Sequence, residues 1–129
     1  MLRIFVASPL RPMSEPHIVA LFDPESWQYQ SWWHETFEKN LRKAREYCRI
    51  VVNAGHRPMA PHLLFPQFLD EKIPEHRALG IALGIEELKT CDQLWYWDQP
   101  SAGMIQEIEF CVKNNIEVVW HGKEPYQHV

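Results

Sequence analysis

The sequence has 129 residues, of which 46% are hydrophobic and 23% are charged, and its formal net charge is −4. This length and composition are typical of one globular domain with its own core, which we expect to span residues 1–129. The acidic balance argues against a general nucleic-acid-binding or membrane-binding surface, because both kinds of surface favour basic patches.

Cysteine usage and hydropathy predict the cellular compartment. Cys48, Cys91 and Cys111 are scattered through apolar or helical stretches, which predicts buried free thiols rather than disulfides. No basic segment leads into an apolar run at the N-terminus, and no apolar run reaches the ~18 residues that span a bilayer. We therefore expect a cytoplasmic protein, since free thiols persist in a reducing environment.

The first half of the chain predicts one strand, a long loop and one helix. Leu2–Ala7 is short and apolar, as in a buried strand of a parallel sheet. Residues 11–32 are rich in proline and aromatic side chains, which indicates an irregular loop. Apolar residues recur at three- and four-residue steps from about Trp33 to Ala54, which is a helical pattern, and Gly55 is a suitable C-terminal cap.

The second half alternates strands with helices around an aromatic-rich loop at Leu63–Pro74. The predicted strands are Arg57–Ala60, Gln93–Trp97 and Ile116–Trp120, and the predicted helices are Pro74–Thr90 and Ala102–Asn114. Because strands joined through helices pair in parallel, the predicted fold is a Rossmann-like (flavodoxin-like) α/β three-layer sandwich. Its sheet is expected to be mainly parallel, with about four or five strands.

The turn from Ser101 to Glu107 follows the third predicted strand, at the edge of the sheet where ligands bind in this class of fold. Ser101 is a suitable N-cap, and the amides of Gly103 and Met104 open a helix whose dipole favours a phosphate there. Glu107, about one turn into the helix, could attack an anomeric carbon or hold ribose hydroxyls. Alternatively, Ser101 is only a cap and Glu107 is a solvated helix residue.

The loop after the first predicted strand begins with Ser8, Pro9 and Leu10 and continues to Arg11. Its amides and the Ser8 hydroxyl could meet a phosphate or a ribose, and the guanidinium of Arg11 could pair with a phosphate. The alternative is an ordinary turn from strand to loop. We expect Ser8, Pro9 and Leu10 to contribute to substrate binding.

The loop after the second predicted strand carries His62, Phe65 and Phe68. The imidazole of His62 could hydrogen-bond a ligand or take part in proton transfer. The rings of Phe65 and Phe68 could stack on a nucleobase, or all three side chains could simply pack the loop. We expect these three residues to contribute to substrate binding as well.

The sequence predicts neither a metal site nor a cofactor. Its seven histidines form no HxH or HExxH motif and no Cys/His pairing at ligand spacing, and there is no GxGxxG or Walker sequence. Trp27, Trp32 and Trp33 stand at the end of the proline-rich segment. We expect these tryptophans either to cover the pocket or to form a subunit interface.

Several segments, taken in chain order, carry a resemblance. They are Ser8-Pro9-Leu10, Asn40-Leu41-x-x-Ala44-x-x-Tyr47-Cys48, Pro58-x-Ala60-Pro61-His62-Leu63, Phe65-Pro66-Gln67-Phe68-Leu69, Arg77-x-x-Gly80, Cys91-Asp92-x-Leu94-Trp95 and Ser101-x-Gly103-Met104-x-x-Glu107-Ile108. As a set they resemble the short, mostly uncharacterised bacterial and phage members of the nucleoside 2-deoxyribosyltransferase-like family.

The resemblance implies a Rossmann-like fold and chemistry at the N-glycosidic bond of a deoxynucleoside or its monophosphate, through an ester on a helix glutamate. Glu107 matches that glutamate, and Ser101 matches the turn that binds phosphate or sugar. The resemblance also implies a carboxylate near Gly84 that helps to protonate the leaving base, and Asp98 is the candidate to replace it. A homo-oligomer is expected, and residues 12–32 look like an insertion.

Two functions stay open at this stage, beside a purely structural interaction module suggested by the tryptophans. The first is an enzyme that cleaves or exchanges an N-glycosidic bond, with Glu107 as nucleophile and Asp98 or His62 as acid. The second is a non-catalytic sensor or sponge for a nucleotide-derived ligand, in which Glu107 only holds ribose hydroxyls. Glu107 favours the enzyme, and the glycine at position 84 favours the binder.

Overall fold

Four strands form one sheet in a computed structural model that describes residues 1–12 and 23–123. The strands are β1 (Arg3–Val6), β2 (Arg57–Met59), β3 (Gln93–Tyr96) and β4 (Glu117–Trp120). All neighbouring strands are parallel, in the order β2-β1-β3-β4. The predicted α/β class with a mainly parallel sheet is therefore confirmed, and the order is that of a flavodoxin-like sheet.

Helices connect the strands, and three of the four correspond to predicted helices, with bounds that differ by at most two residues except at the start of the first helix. They are α1 (Trp27–Asn53), α2 (Pro61–Leu64), α3 (Pro74–Leu88) and α4 (Ala102–Lys113), and a 3₁₀ turn (Phe65–Gln67) follows α2. The loop predicted over Leu63–Pro74 is thus partly helical. Pro61 explains the helix in part, because proline is favoured at the first position of a helix. The N–H that proline lacks would have no hydrogen-bond partner there.

Helix α1 begins six residues earlier than predicted, so the tryptophans belong to a helix and not to a loop. Ser26 caps the helix, and its side chain accepts a hydrogen bond from the Tyr29 amide at 3.2 Å. Trp33 is buried and stacks on Phe37, with ring centroids 5.0 Å apart. Capping and ring packing outweigh the modest helix propensity of aromatic residues. The rest of the predicted loop falls largely on 13–22, outside the described residues.

The sheet carries a separate apolar core on each face. Helix α1 covers one face, where Tyr47 and Val51 pack against Ile4 and Val6 of β1. Helices α3 and α4 cover the other face, where a second cluster includes Phe5, Leu88 and Cys111. Strand β1 is therefore buried on both sides, as its apolar sequence predicts.

The topology creates a crevice between the ends of β1 and β3. The chain leaves β1 towards α1 on one face and leaves β3 towards α4 on the other, so the two connections diverge. In open parallel sheets this switch in direction is where ligands bind. The loops predicted to bind substrate therefore meet at one edge of the sheet.

The sequence predicted buried free thiols and no apolar run long enough to span a bilayer. Cys91 and Cys111 are buried and Cys48 is half-buried, and all three are free thiols. Among residues 1–12 and 23–123, no helix combines the length and the apolar character that crossing a membrane requires.

Candidate functional site

A cavity of about 590 Å³ lies at the crevice between β1 and β3. Its size falls within the ~300–1,000 Å³ of typical small-molecule sites. Ser8 and Leu10 line it from the loop after β1, and His62 and Phe65 line it from α2 and the 3₁₀ turn. The structure thus brings the first two predicted loops together.

The third predicted loop closes the same cavity. Ser101, Gly103, Met104 and Glu107, all on or beside the first turns of α4, are among its lining residues. The side chain of Ser101 accepts a hydrogen bond from the Met104 amide at 3.3 Å, so that amide serves the helix cap and not a ligand. The amides of Ala102 and Gly103 lack intrahelical partners because they open the helix. A side chain at Gly103 would meet open space, so these two amides are the ones that a ligand can approach.

Three predicted site residues lie outside the lining of this cavity. Pro9 is half-buried between two residues that do line it. Phe68 is 61% exposed, packs edge-on against Phe65 and borders a shallower neighbouring depression. Phe65 is therefore the one of the two phenylalanines that faces the cavity.

Asp98, the third of these residues, belongs to a turn after β3. Its φ of 55° lies in the left-handed region, and its backbone amide donates to the Gly122 carbonyl at 2.7 Å. Its carbonyl oxygen accepts a hydrogen bond from the Trp120 indole. These backbone contacts tie the turn to the end of β4. Because Asp98 does not line the cavity, the geometry gives no support to its expected role as an acid.

Glu107 is the most unusual polar residue in the cavity wall. Its Oε1 atom is buried and makes no hydrogen bond with any described residue. Burial raises the pKa of Glu107 from 4.5 to about 8, so the carboxyl group is mostly protonated near pH 7. Glu107 is therefore not a solvated helix residue. Glu107 lines the cavity, and its buried Oε1 atom lacks the hydrogen bond that a buried polar atom normally has.

His62 and Ser8 meet in the cavity wall. The Nδ1 atom of His62 lies 3.4 Å from Oγ of the buried Ser8. Burial lowers the pKa of His62 to about 4, against a weaker raising effect of a hydrogen bond with the Ser8 backbone. The imidazole is consequently neutral near pH 7 and carries no extra proton to give. The position of His62 supports a role as a hydrogen-bonding partner of a ligand, and its low pKa argues against a role as the acid.

Sequence reasoning gave no role to Glu71 and His76, which belong to the wall formed by the loop before α3 and by α3 itself. Glu71, His76 and Arg77 line the cavity, as do Gly80 and Gly84 further along one face of α3. Two glycines four residues apart inside a helix are a signal that could have been used, because each costs about 1 kcal/mol relative to alanine. No sequence pattern marks Glu71, because the path of the loop before α3 brings it to the cavity. Among the described residues, no three or more His, Cys, Asp or Glu side chains are grouped so as to hold a metal ion.

Comparison with known proteins identifies a fold relative and a family. The sequence matches none of the curated proteins. A solved structure of 2-deoxyribosyltransferase from the psychrotolerant bacterium Bacillus psychrosaccharolyticus, described as a biocatalyst for synthesising antiviral and antitumoral nucleosides, is similar with a TM-score of 0.56. That alignment covers 93% of this chain and 72% of the other at 16% identity, so it shows a shared fold. Residues 29–121 match the family described as Domain of unknown function (DUF7768), and the chain therefore belongs to that family.

Proposed function

We propose that this protein cleaves or transfers the N-glycosidic bond of a nucleoside or its 5′-monophosphate, with Glu107 as the nucleophile. The observation that carries the proposal is the buried, unpartnered Oε1 atom of Glu107, a residue in the wall of a cavity that the first turn of α4 also lines. A carboxyl group held without a partner is costly to the fold, which favours a role in binding or catalysis.

The reaction follows the chemistry of covalent catalysis by carboxylates. The ionised carboxylate of Glu107 attacks the anomeric carbon C1′, and the bond from C1′ to the base nitrogen breaks with its electron pair leaving on the base. The base gains a proton as it leaves. Water or a second base then attacks C1′, gives up its own proton and releases the Glu107 carboxylate. Water yields hydrolysis, and a base yields transfer.

The lining of the cavity suits the parts of such a substrate. The amides of Ala102 and Gly103 at the positive end of α4 suit a phosphate or a sugar oxygen. Ser8 and the neutral His62 offer hydrogen bonds, and Phe65 offers an apolar surface to a base. The similar fold of a 2-deoxyribosyltransferase supports a nucleoside substrate.

A specific observation also favours a second candidate, a non-catalytic receptor for a nucleotide-derived ligand. A protonated Glu107 can both donate and accept a hydrogen bond, which suits a pair of ribose hydroxyls as well as it suits catalysis. In this alternative the glycosidic bond of the ligand stays intact. Gly84, where the resemblance implies a carboxylate, fits this alternative.

The decisive experiment measures free base released from ribo- and deoxyribonucleosides and their 5′-monophosphates by chromatography. Three proteins are compared: the wild type, Glu107→Gln, and Glu109→Gln as a control on an exposed glutamate of the same helix. We expect release by the wild type and the control, and loss by roughly 10³-fold or more in Glu107→Gln. Ligand binding, followed by thermal shift, should persist in all three.

Two other outcomes would contradict the enzymatic proposal. Base release that Glu107→Gln leaves unchanged would show that Glu107 is not the nucleophile. A nucleotide that stabilises the wild type but is recovered intact would establish the binding function instead.

A further inference from the structure

A second carboxyl group, that of Glu71, faces the same cavity as Glu107. Its side chain is 19% exposed, and its Oε1 atom lies 3.4 Å from Nη1 of Arg77. Glu71 stands in the loop before α3, whereas Glu107 stands on α4, so the two carboxyl groups enter from different walls. Chemistry at a glycosidic bond needs two groups with different tasks, one at the sugar and one at the leaving base.

Contacts on both sides fix the loop that carries Glu71. The ammonium group of Lys72 lies 4.6 Å from the ring centroid of Trp33, a cation–π contact with the start of α1. On the other side of Glu71, the Asp70 amide donates to Nδ1 of His76 at 2.9 Å, which ties the loop to α3. The tryptophan-rich start of α1 thereby helps to position a carboxyl group in the cavity, a role that the sequence did not indicate.

The charges around Glu71 suit a group that gives up a proton and later regains one. Burial raises the pKa of Glu71, and the neighbouring Asp70 raises it further. The guanidinium groups of Arg77 and Arg11 act in the opposite direction and stabilise the carboxylate that remains once the proton has left. Burial is the largest of these effects, so the proton is held more firmly than on an exposed glutamate.

We propose that Glu71 is the group that protonates the leaving base in the reaction proposed above. The inference rests on that reaction. As the bond from C1′ to the base breaks, its electron pair moves into the base, a base nitrogen takes the proton of the Glu71 carboxyl group, and Glu71 becomes a carboxylate. In the second half of the reaction, the Glu71 carboxylate takes the proton from the attacking water or base, which restores both groups.

The other candidates for this task are less suitable. His62 is neutral near pH 7 and Asp98 does not line the cavity. Gly84 lies where the resemblance implies the carboxylate, and it lines the same cavity from α3. His76 lines the cavity too, with its Nδ1 already accepting the Asp70 amide, and it is the competitor that the experiment must exclude.

The test varies the leaving group. An ordinary nucleoside needs its base protonated, whereas 4-nitrophenyl 2-deoxyriboside releases a stable nitrophenolate that needs no proton. Glu71→Gln should lower turnover of the nucleoside by roughly 10²- to 10⁴-fold, the usual contribution of a general acid, and change turnover of the nitrophenyl compound only a few-fold. Glu75→Gln, an exposed glutamate on the first turn of α3, should change neither.

A pH profile gives a second, independent readout. The proposal requires Glu107 ionised and Glu71 protonated together, so kcat/KM of the wild type should fall above the higher of the two pKa values. In Glu71→Gln the residual kcat/KM should instead rise as Glu107 ionises and level off above about pH 8. This readout still applies if the nitrophenyl compound is not a substrate.

The outcomes separate the inference from the proposed function. Equal losses on both substrates in Glu71→Gln, or an unchanged pH profile, would overturn the role of Glu71 while Glu107 keeps its own. A selective loss in His76→Gln instead of Glu71→Gln would assign the proton to the imidazole. Absence of base release from every substrate by the wild type would overturn the proposed function and this inference with it.

Discussion

Replacing Glu107 with glutamine should stabilise the protein at alkaline pH and have little effect at acid pH. The carboxyl pKa is 4.5 ordinarily and about 8 in the folded protein. Between these values the folded protein binds a proton that the unfolded chain does not, so the free energy of unfolding falls as pH rises. At 1.36 kcal/mol per pKa unit, the stability lost across this window has a ceiling of about 5 kcal/mol.

Glutamine cannot ionise, so Glu107→Gln escapes this loss while keeping nearly the same shape. At pH 5 the wild type and the variant should have similar unfolding free energies. At pH 8, where the folded group is half ionised, the variant should be more stable by roughly 2–4 kcal/mol, the lower figure allowing for water that reaches the ionised group. Urea unfolding at pH 5, 6.5 and 8 measures this, with Glu109→Gln on the exposed face of α4 as the control. A difference between Glu107→Gln and the wild type that stays constant over this range would refute the assignment of a buried, protonated Glu107.

Further predictions concern three residues around the cavity. The ring signals of His62 should show a neutral imidazole from pH 7 down to pH 5 by NMR, because its pKa is about 4, and a protonation step near pH 6.5 would contradict its burial. Gly84→Ala should raise the unfolding free energy by about 0.5–1 kcal/mol in urea, since the added Cβ would lie 4.0 Å from Pro61 and alanine favours helix. Gly55→Ala, at a φ of +86°, is the control and should destabilise. Ser101→Ala should lower the unfolding free energy by about 1 kcal/mol through loss of the cap, and no change would show that the cap contributes little.

Local sequence patterns were sufficient to predict the parallel sheet and the connecting helices α3 and α4. The apolar Leu2–Ala7 segment and the alternation of strands with helices predict a parallel sheet, because a strand covered on both faces must be apolar throughout. Ser101 as a cap and Glu107, one turn after Gly103, could be recognised because they depend on neighbours within a single helix. The start of α1 could not be predicted, because a segment rich in proline and tryptophan is typical of an irregular loop. The helical start depends on packing, such as that of Trp33 on Phe37.

What the tertiary structure alone decided is the environment of each carboxyl group. Sequence reasoning left open whether Glu107 is solvated, and the packing of α4 against the crevice leaves its Oε1 buried and unpartnered. The sequence pointed to Asp98 as the second acidic group, but Asp98 does not line the cavity, whereas Glu71 does. Spacing along the chain can predict which side chains share a helix face. Burial and charge around a group arise from segments distant in sequence, so its pKa is a property of the folded protein.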